Sequence, residues 1–163
     1  LVDLADNNTL NYATNIVIPP GTYTGISFVY GLNEEDNIDQ AYPDLNTASW
    51  SWPEMLGGGY HFMQLDGTFT SPTNISPLPF NYHNGTARIS EGVFEQNFIR
   101  VNVDGLSIDS NTNIDIKMNL AEWFKNPKTW DLNVLNTGLM GNYDAQREMN
   151  ENGQSVFSVY LGD

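Results

Sequence analysis

Residues 97–105 read NFIRVNVDG, and this stretch sets the fold class. Ile99, Val101 and Val103 alternate with Arg100 and Asn102. A period of two, apolar in and polar out, is what a half-buried strand requires. The same period recurs on both sides. Thr24, Ile26, Phe28 and Tyr30 share one face of TYTGISFVYG, and Ile114, Ile116 and Met118 share one face of NIDIKMN. Ile16 and Ile18 lie on one side of an extended segment ended by Pro19, Pro20 and Gly21. YHFMQLDGTF (60–69) is apolar on both faces, DGT at 66–68 reads as a turn, and SVFSVYLG closes the chain as a strand. Asn84-Gly85 within FNYHNGTARIS (80–90) predicts a hairpin, because a type I′ turn needs positive φ at both central residues. LAEWF before Pro127 and NYDAQREMNENG, stopped by Asn152-Gly153, predict short helices. Many short strands, close turns and little helix predict an all-β chain. We expect an antiparallel β-sandwich or barrel-like single domain over residues 1–163, with one or two short helices.

The chain is long enough for a real core, and its 40% apolar and 12% aromatic content is that of a globular protein. Six Lys and Arg stand against 20 Asp and Glu, a net charge of -14. Such a surface repels nucleic acid and anionic lipid. Without cysteine, disulfides, thiolate metal sites and cysteine nucleophiles are excluded. No apolar run approaches the ~20 residues of a membrane span. The chain opens on Leu1, and LVDL reads like the interior of a longer protein, so a processed or truncated start is expected.

The long connection at 32–59 ends in SWSWPEMLGGG, two tryptophans two residues apart followed by three glycines. Extended, Trp50 and Trp52 point the same way, either plugging the core or walling a site. Nucleophilic chemistry has little support: there are two histidines, His61 and His83, and no G-x-S-x-G elbow. Paired carboxylates are uninformative in so acidic a chain, and Gly57-Gly58-Gly59 lacks the lysine and spacing of a phosphate loop. DSNTNID (109–115) begins like a calcium loop, but Ile114 stands where glycine is needed and Leu120 where glutamate is needed. A lone histidine is most often a satisfied structural group, His83 beside its turn and His61 within an apolar strand. A transition-metal site built on them needs help from carboxylate, Met, backbone or water.

The order IPPGTYTGISFVYGL, YPDLN, SWSW, GGGYHFMQLDG, FNYHNG resembles the MbnP-like family of copper-associated extracytoplasmic proteins. The likeness runs along the whole chain, and its specific part is Pro20 to Gly85. It implies a β-rich fold, export from the cytoplasm and often a lipid anchor lying outside this stretch. It also implies further N-terminal strands before Leu1. In copper-binding members the metal is held by the histidine of an HP element and that of a hairpin. The first tryptophan of the pair can be oxidised to kynurenine, with a dihaem peroxidase-like protein as the associated partner. Carried over, His83 takes the hairpin position and Trp50 the modifiable tryptophan. The HP element reads Tyr42-Pro43 here, so one histidine is replaced. Tyrosine would serve only as phenolate, which neutral pH opposes. His61 is the other imidazole within reach of the motif. The candidate metal residues are therefore His83, Trp50, His61 and Tyr42. Two readings stand: an exported, non-catalytic copper-binding or copper-handling protein, or a cell-surface β-sandwich that binds a protein or glycan without metal.

Overall fold

A computed structural model of the chain describes residues 1–13, 16–108 and 113–162. Eight strands pair as four antiparallel two-stranded sheets in a β-rich, sandwich-like fold. Strand β1 (Gly21–Tyr30) pairs with β6 (Ile99–Ile108), with Tyr30 opposite Ile99. Here the alternation holds: Ile99 is buried, Val101 and Val103 are half-buried, and Arg100 and Asn102 are exposed. Strand β7 (Asn113–Met118) pairs with β8 (Phe157–Gly162). Only the Met118–Phe157 end of that pair packs against the core, so Ile116, expected inward, is 47% exposed. Ile16 is exposed too, and residues 16–20 lie outside the strands. The first four residues of the calcium-like segment lie outside the described residues, and the rest opens β7.

Two expected turns are not turns. Strand β2 (Met63–Phe69) runs straight through Asp66-Gly67-Thr68 and pairs along its length with β3 (Leu78–Asn84). Gly67 lies opposite Phe80, whose ring comes within 2.7 Å of where a Cβ would stand. The glycine makes room for a cross-strand aromatic rather than for a bend. Asn84-Gly85 likewise forms no hairpin. The hairpin lies one step later, between β4 (Ala87–Ser90) and β5 (Val93–Glu95), across Gly92 with φ +70°. Asn84 is fully buried, and both of its oxygens are engaged. Its side-chain oxygen accepts from the Tyr30 hydroxyl at 3.1 Å, and its carbonyl accepts the Phe62 N–H at 2.8 Å. A turn would break both bonds.

The core gathers Met63, Tyr82, Ile99, Trp123, Trp130, Leu139, Met149 and Val156. Tyr82 stacks at 4.8 Å on both Phe124 and Trp130. Two helices accompany the strands: α1 (Pro43–Thr47) and α2 (Tyr143–Gly153). Asn142 caps α2 by accepting the Ala145 N–H at 3.1 Å. The buried face of α2 carries Gln146, Met149, Asn150 and Gly153, at the spacing of one helical stripe. Its amides are tolerated inside because each serves loop backbone. Asn150 donates to the Asn97 carbonyl at 2.9 Å, and Asn152 to those of Trp123 and Lys128 at 2.8 and 3.0 Å.

Gly153 is where α2 comes closest to the core. An added Cβ would stand 2.3 Å from Ile99 Cδ1 and 2.6 Å from Trp123 Cζ3. Gly153→Ala should therefore destabilise the protein by about 1–3 kcal/mol through overpacking. Gly141→Ala, whose Cβ meets nothing nearer than Leu56 Cδ2 at 3.8 Å, should change stability far less. Urea denaturation of the two variants checks the contrast.

Candidate metal centre

The tryptophan pair and the glycine triplet form one device. Trp52 N–H donates to the Gly59 carbonyl at 2.8 Å, and His61 N–H donates to the Trp50 carbonyl at 2.8 Å. These two bonds flank an antiparallel bridge between Ser51 and Tyr60. The chain reverses between the two segments through Gly57, Gly58 and Gly59, with φ of +114°, +66° and +76°. Three successive left-handed residues are readily adopted only by glycine. The loop is then tied to its neighbours by Asn37, whose side chain accepts the Tyr60 N–H at 3.0 Å and donates to Thr86 Oγ1 at 3.2 Å.

The tryptophans divide the roles that the sequence left open. Trp52 is 2% exposed, donates its indole N–H to the Leu56 carbonyl at 3.1 Å and lies flat over Gly85. It is a core plug. Trp50 is half-buried and faces the His61 ring at 6.1 Å between centroids. It is a wall.

His61 is buried between these indoles, with Trp52 edge-on at 4.8 Å, and its ring meets that of His83 at 5.3 Å and 80°. The two histidines of the chain are thus neighbours. Their backgrounds fix which nitrogen of each is free. His61 Nδ1 lies 3.0 Å from the Trp50 carbonyl, which only accepts. Nδ1 therefore carries the proton and Nε2 the lone pair. His83 Nε2 lies 2.9 Å from Asp66 Oδ1. Burial alone would raise the Asp66 carboxyl, but hydrogen bonds from Asn81 (2.6 Å) and His83 outweigh it and hold the group below its ordinary range. An ionised Asp66 accepts, so His83 keeps its proton on Nε2 and its lone pair on Nδ1. A carboxylate orienting an imidazole in this way is the usual support for a metal-binding histidine.

Strand geometry sets up that support. Asp66 lies opposite Asn81 and Gln64 opposite His83, so all four share one face of the β2–β3 pair. Tyr82, between Asn81 and His83, points into the core. Behind the strand, Gln146 of α2 reads the backbone. Its Oε1 accepts the Gly85 N–H at 3.2 Å, and its Nε2 donates to the His83 and Leu139 carbonyls at 2.9 and 3.1 Å.

Of the four residues predicted for a metal, the structure brings together His61, His83 and Trp50. Tyr42 is held elsewhere: its ring packs on Tyr60 at 5.6 Å and its backbone N–H donates to the Tyr60 hydroxyl at 2.9 Å. Asp66 and Gln146 carry supporting roles that no sequence motif marks. Among the described residues, no group of three or more His, Cys, Asp or Glu side chains is disposed to hold a metal ion. The donor set is two neutral imidazoles with nearby softer groups. That composition suits copper and does not suit calcium or magnesium, which take oxygen ligands.

The family model of MbnP matches residues 1–141, and the chain belongs to the MbnP family. No curated protein and no solved structure matches it. The matched stretch contains the tryptophan pair, both histidines and Asp66, whereas Gln146 lies beyond it.

Replacing Gln146 with alanine leaves the Gly85 N–H and two carbonyls without this partner, which should cost about 1–3 kcal/mol of stability. The His83 ring resonances should broaden or shift in the same variant, as its strand end loosens. Thermal unfolding and imidazole NMR measure the two effects. The His61 ring supplies a pH prediction. Burial chiefly, and the neighbouring His83 in addition, push its pKa below the ordinary 6.5, against the opposing Trp50 carbonyl. The unfolded chain then binds the extra proton first, so this group's contribution to stability is full above pH ~6.5 and is lost as pH falls below it. The slope should flatten once pH passes the folded-state value. Chemical denaturation between pH 7.5 and 5 should show a steeper loss for the parent than for His61→Gln.

Proposed function

We propose that this protein is an exported copper-binding protein that holds the metal through His61 and His83, beside Trp50. The observation that carries the reading is the edge-to-face contact of the two imidazoles, centroids 5.3 Å apart, each with one nitrogen held by an acceptor. Family membership supports a copper-associated, extracytoplasmic role. Among the described residues no helix is long and apolar enough to cross a membrane. The net charge of -14 favours the approach of cations. The role is binding and handling of metal rather than catalysis. Tyr42 has no part in it, and His61 stands in for the imidazole that the Tyr42-Pro43 element lacks.

Trp50 is the tryptophan open to modification, because it is half-buried while Trp52 is enclosed. One dioxygen, or two hydrogen peroxide molecules that leave as two waters, would cleave the indole C2–C3 bond with insertion of two oxygen atoms, and water would then release the formyl carbon as formate. The kynurenine so formed offers an amine and a carbonyl where indole offers no useful donor. A dihaem peroxidase-like protein, acting outside the cytoplasm, is the partner class that would deliver the oxidising equivalents.

The test is copper content after dialysis, by elemental analysis. The parent should retain about one copper per chain, and His61→Ala and His83→Ala should each lose it. Tyr42→Phe should retain it. Equal copper in the parent and both histidine variants would sink the reading, as would a parent that holds none.

A further inference from the structure

Two imidazoles leave a metal under-coordinated, and the structure offers a further donor beside His83. Residues 136–141 run along the edge of β3 that β2 leaves open. Asn81 N–H donates to the Asn136 carbonyl at 2.8 Å, and the Asn136 side chain donates to the Pro79 carbonyl at 3.2 Å. One nitrogen of Gln146 then bonds the carbonyls of both His83 and Leu139. This double bond of one amide brings the 138–141 segment against His83 from behind. Asn81, His83, Gly138, Leu139, Met140 and Gly141 together line a cavity of about 330 Å³.

The lining is chemically selective. Asn81 is already engaged by Asp66, and Asp66 itself orients His83. Leu139 is 2% exposed and belongs to the core. At Gly138 an added Cβ would meet nothing within 4 Å. Two side chains with uncommitted soft or borderline lone pairs remain: the His83 imidazole and the half-buried Met140 thioether. In a chain without cysteine, methionine is the only source of a soft sulfur donor.

We infer that Met140, which shares this cavity with His83, supplies a thioether ligand to the metal bound at His83, and that it makes the site prefer monovalent copper. The inference rests on the copper reading above and adds to it a donor and an oxidation state. Thioether is neutral and soft, so it stabilises copper(I) more than copper(II). The same site without it would keep its imidazoles and lose that preference.

The experiment measures copper(I) affinity by anaerobic competition with a chromophoric copper(I) chelator, and copper(II) affinity by quenching of tryptophan fluorescence. It uses the parent, Met140→Leu, His83→Ala and, as a control, Met55→Leu. Met55 is 76% exposed, away from the cavity lining. Copper(I) affinity should fall at least about tenfold in Met140→Leu, the scale on which loss of a group around a metal acts. Copper(II) affinity should stay within about twofold, since copper(II) gains little from thioether. X-ray absorption of the copper(I) form should show a sulfur scatterer in the parent and in Met55→Leu that is missing in Met140→Leu. Circular dichroism confirms that Met140→Leu, a swap of similar volume, is folded. If Met140→Leu binds copper(I) like the parent while His83→Ala does not, the Met140 assignment is overturned and the copper reading stands. If the parent itself binds neither oxidation state, both are overturned.

Discussion

The site depends on one carbonyl. Trp50 C=O accepts the backbone N–H of His61 at 2.8 Å and its ring Nδ1–H at 3.0 Å. The first bond pairs the tryptophan segment with the start of the second strand. The second turns the imidazole back over that strand and leaves Nε2 as its donor atom. A single acceptor thereby fixes chain path, ring orientation and tautomer at once. The three left-handed glycines that follow the tryptophans exist to let this pairing close within a few residues. The bridge also explains why both tryptophans approach His61, since residues two apart on an extended segment face the same way.

The second histidine reaches the same place by an independent route. His83 is positioned by the pleat of the β2–β3 pair, oriented by Asp66 and anchored through its carbonyl by Gln146. Neither support involves the tryptophan loop. Trp52 joins the two halves, touching His61 on one side and covering Gly85 on the other. Gly85 must lack a side chain because the indole occupies the space a Cβ would need, at 2.6 Å. A larger residue there would push Trp52 against His61 and disturb both halves together.

The strands were legible wherever burial alternates with period two, as in Ile99, Val101 and Val103. Legibility failed where a residue type has two uses. Asp66-Gly67 and Asn84-Gly85 carry turn composition, yet Gly67 clears space for Phe80 and Gly85 for Trp52. Local sequence does not distinguish a glycine that bends from one that makes room. The resemblance of the ordered motifs named Trp50 and His83, each of which neighbours His61, and pointed to the family. It did not say whether His61 would face them, because a buried strand with apolar residues on both sides has no marked face. Tyr42 fell away for a reason visible only in three dimensions, its packing on Tyr60. Asn37 and Gln146 were invisible for another reason. Each acts on backbone groups far along the chain, 23 and 61 residues away, and such amide contacts leave no pattern.

The distribution of charge bears on which ion such a site can take. The chain has 20 carboxylates among its side chains, enough to build a hard cation site several times over. Among the described residues Asp66 is the carboxylate in contact with the pair, and its Oδ1 accepts from both His83 and Asn81. What borders the pair instead is indole at His61 and, at His83, a cavity whose lining includes the Met140 thioether. A neutral pocket set in an acidic surface separates two tasks. The surface raises the local concentration of any cation, whatever its hardness. In the proposed site the pocket would then discriminate, because neutral imidazole gives calcium and magnesium nothing to replace their water, whereas imidazole suits copper. In the proposed copper site, selectivity would come from keeping carboxylates away from the donors while leaving one behind them to point the ring.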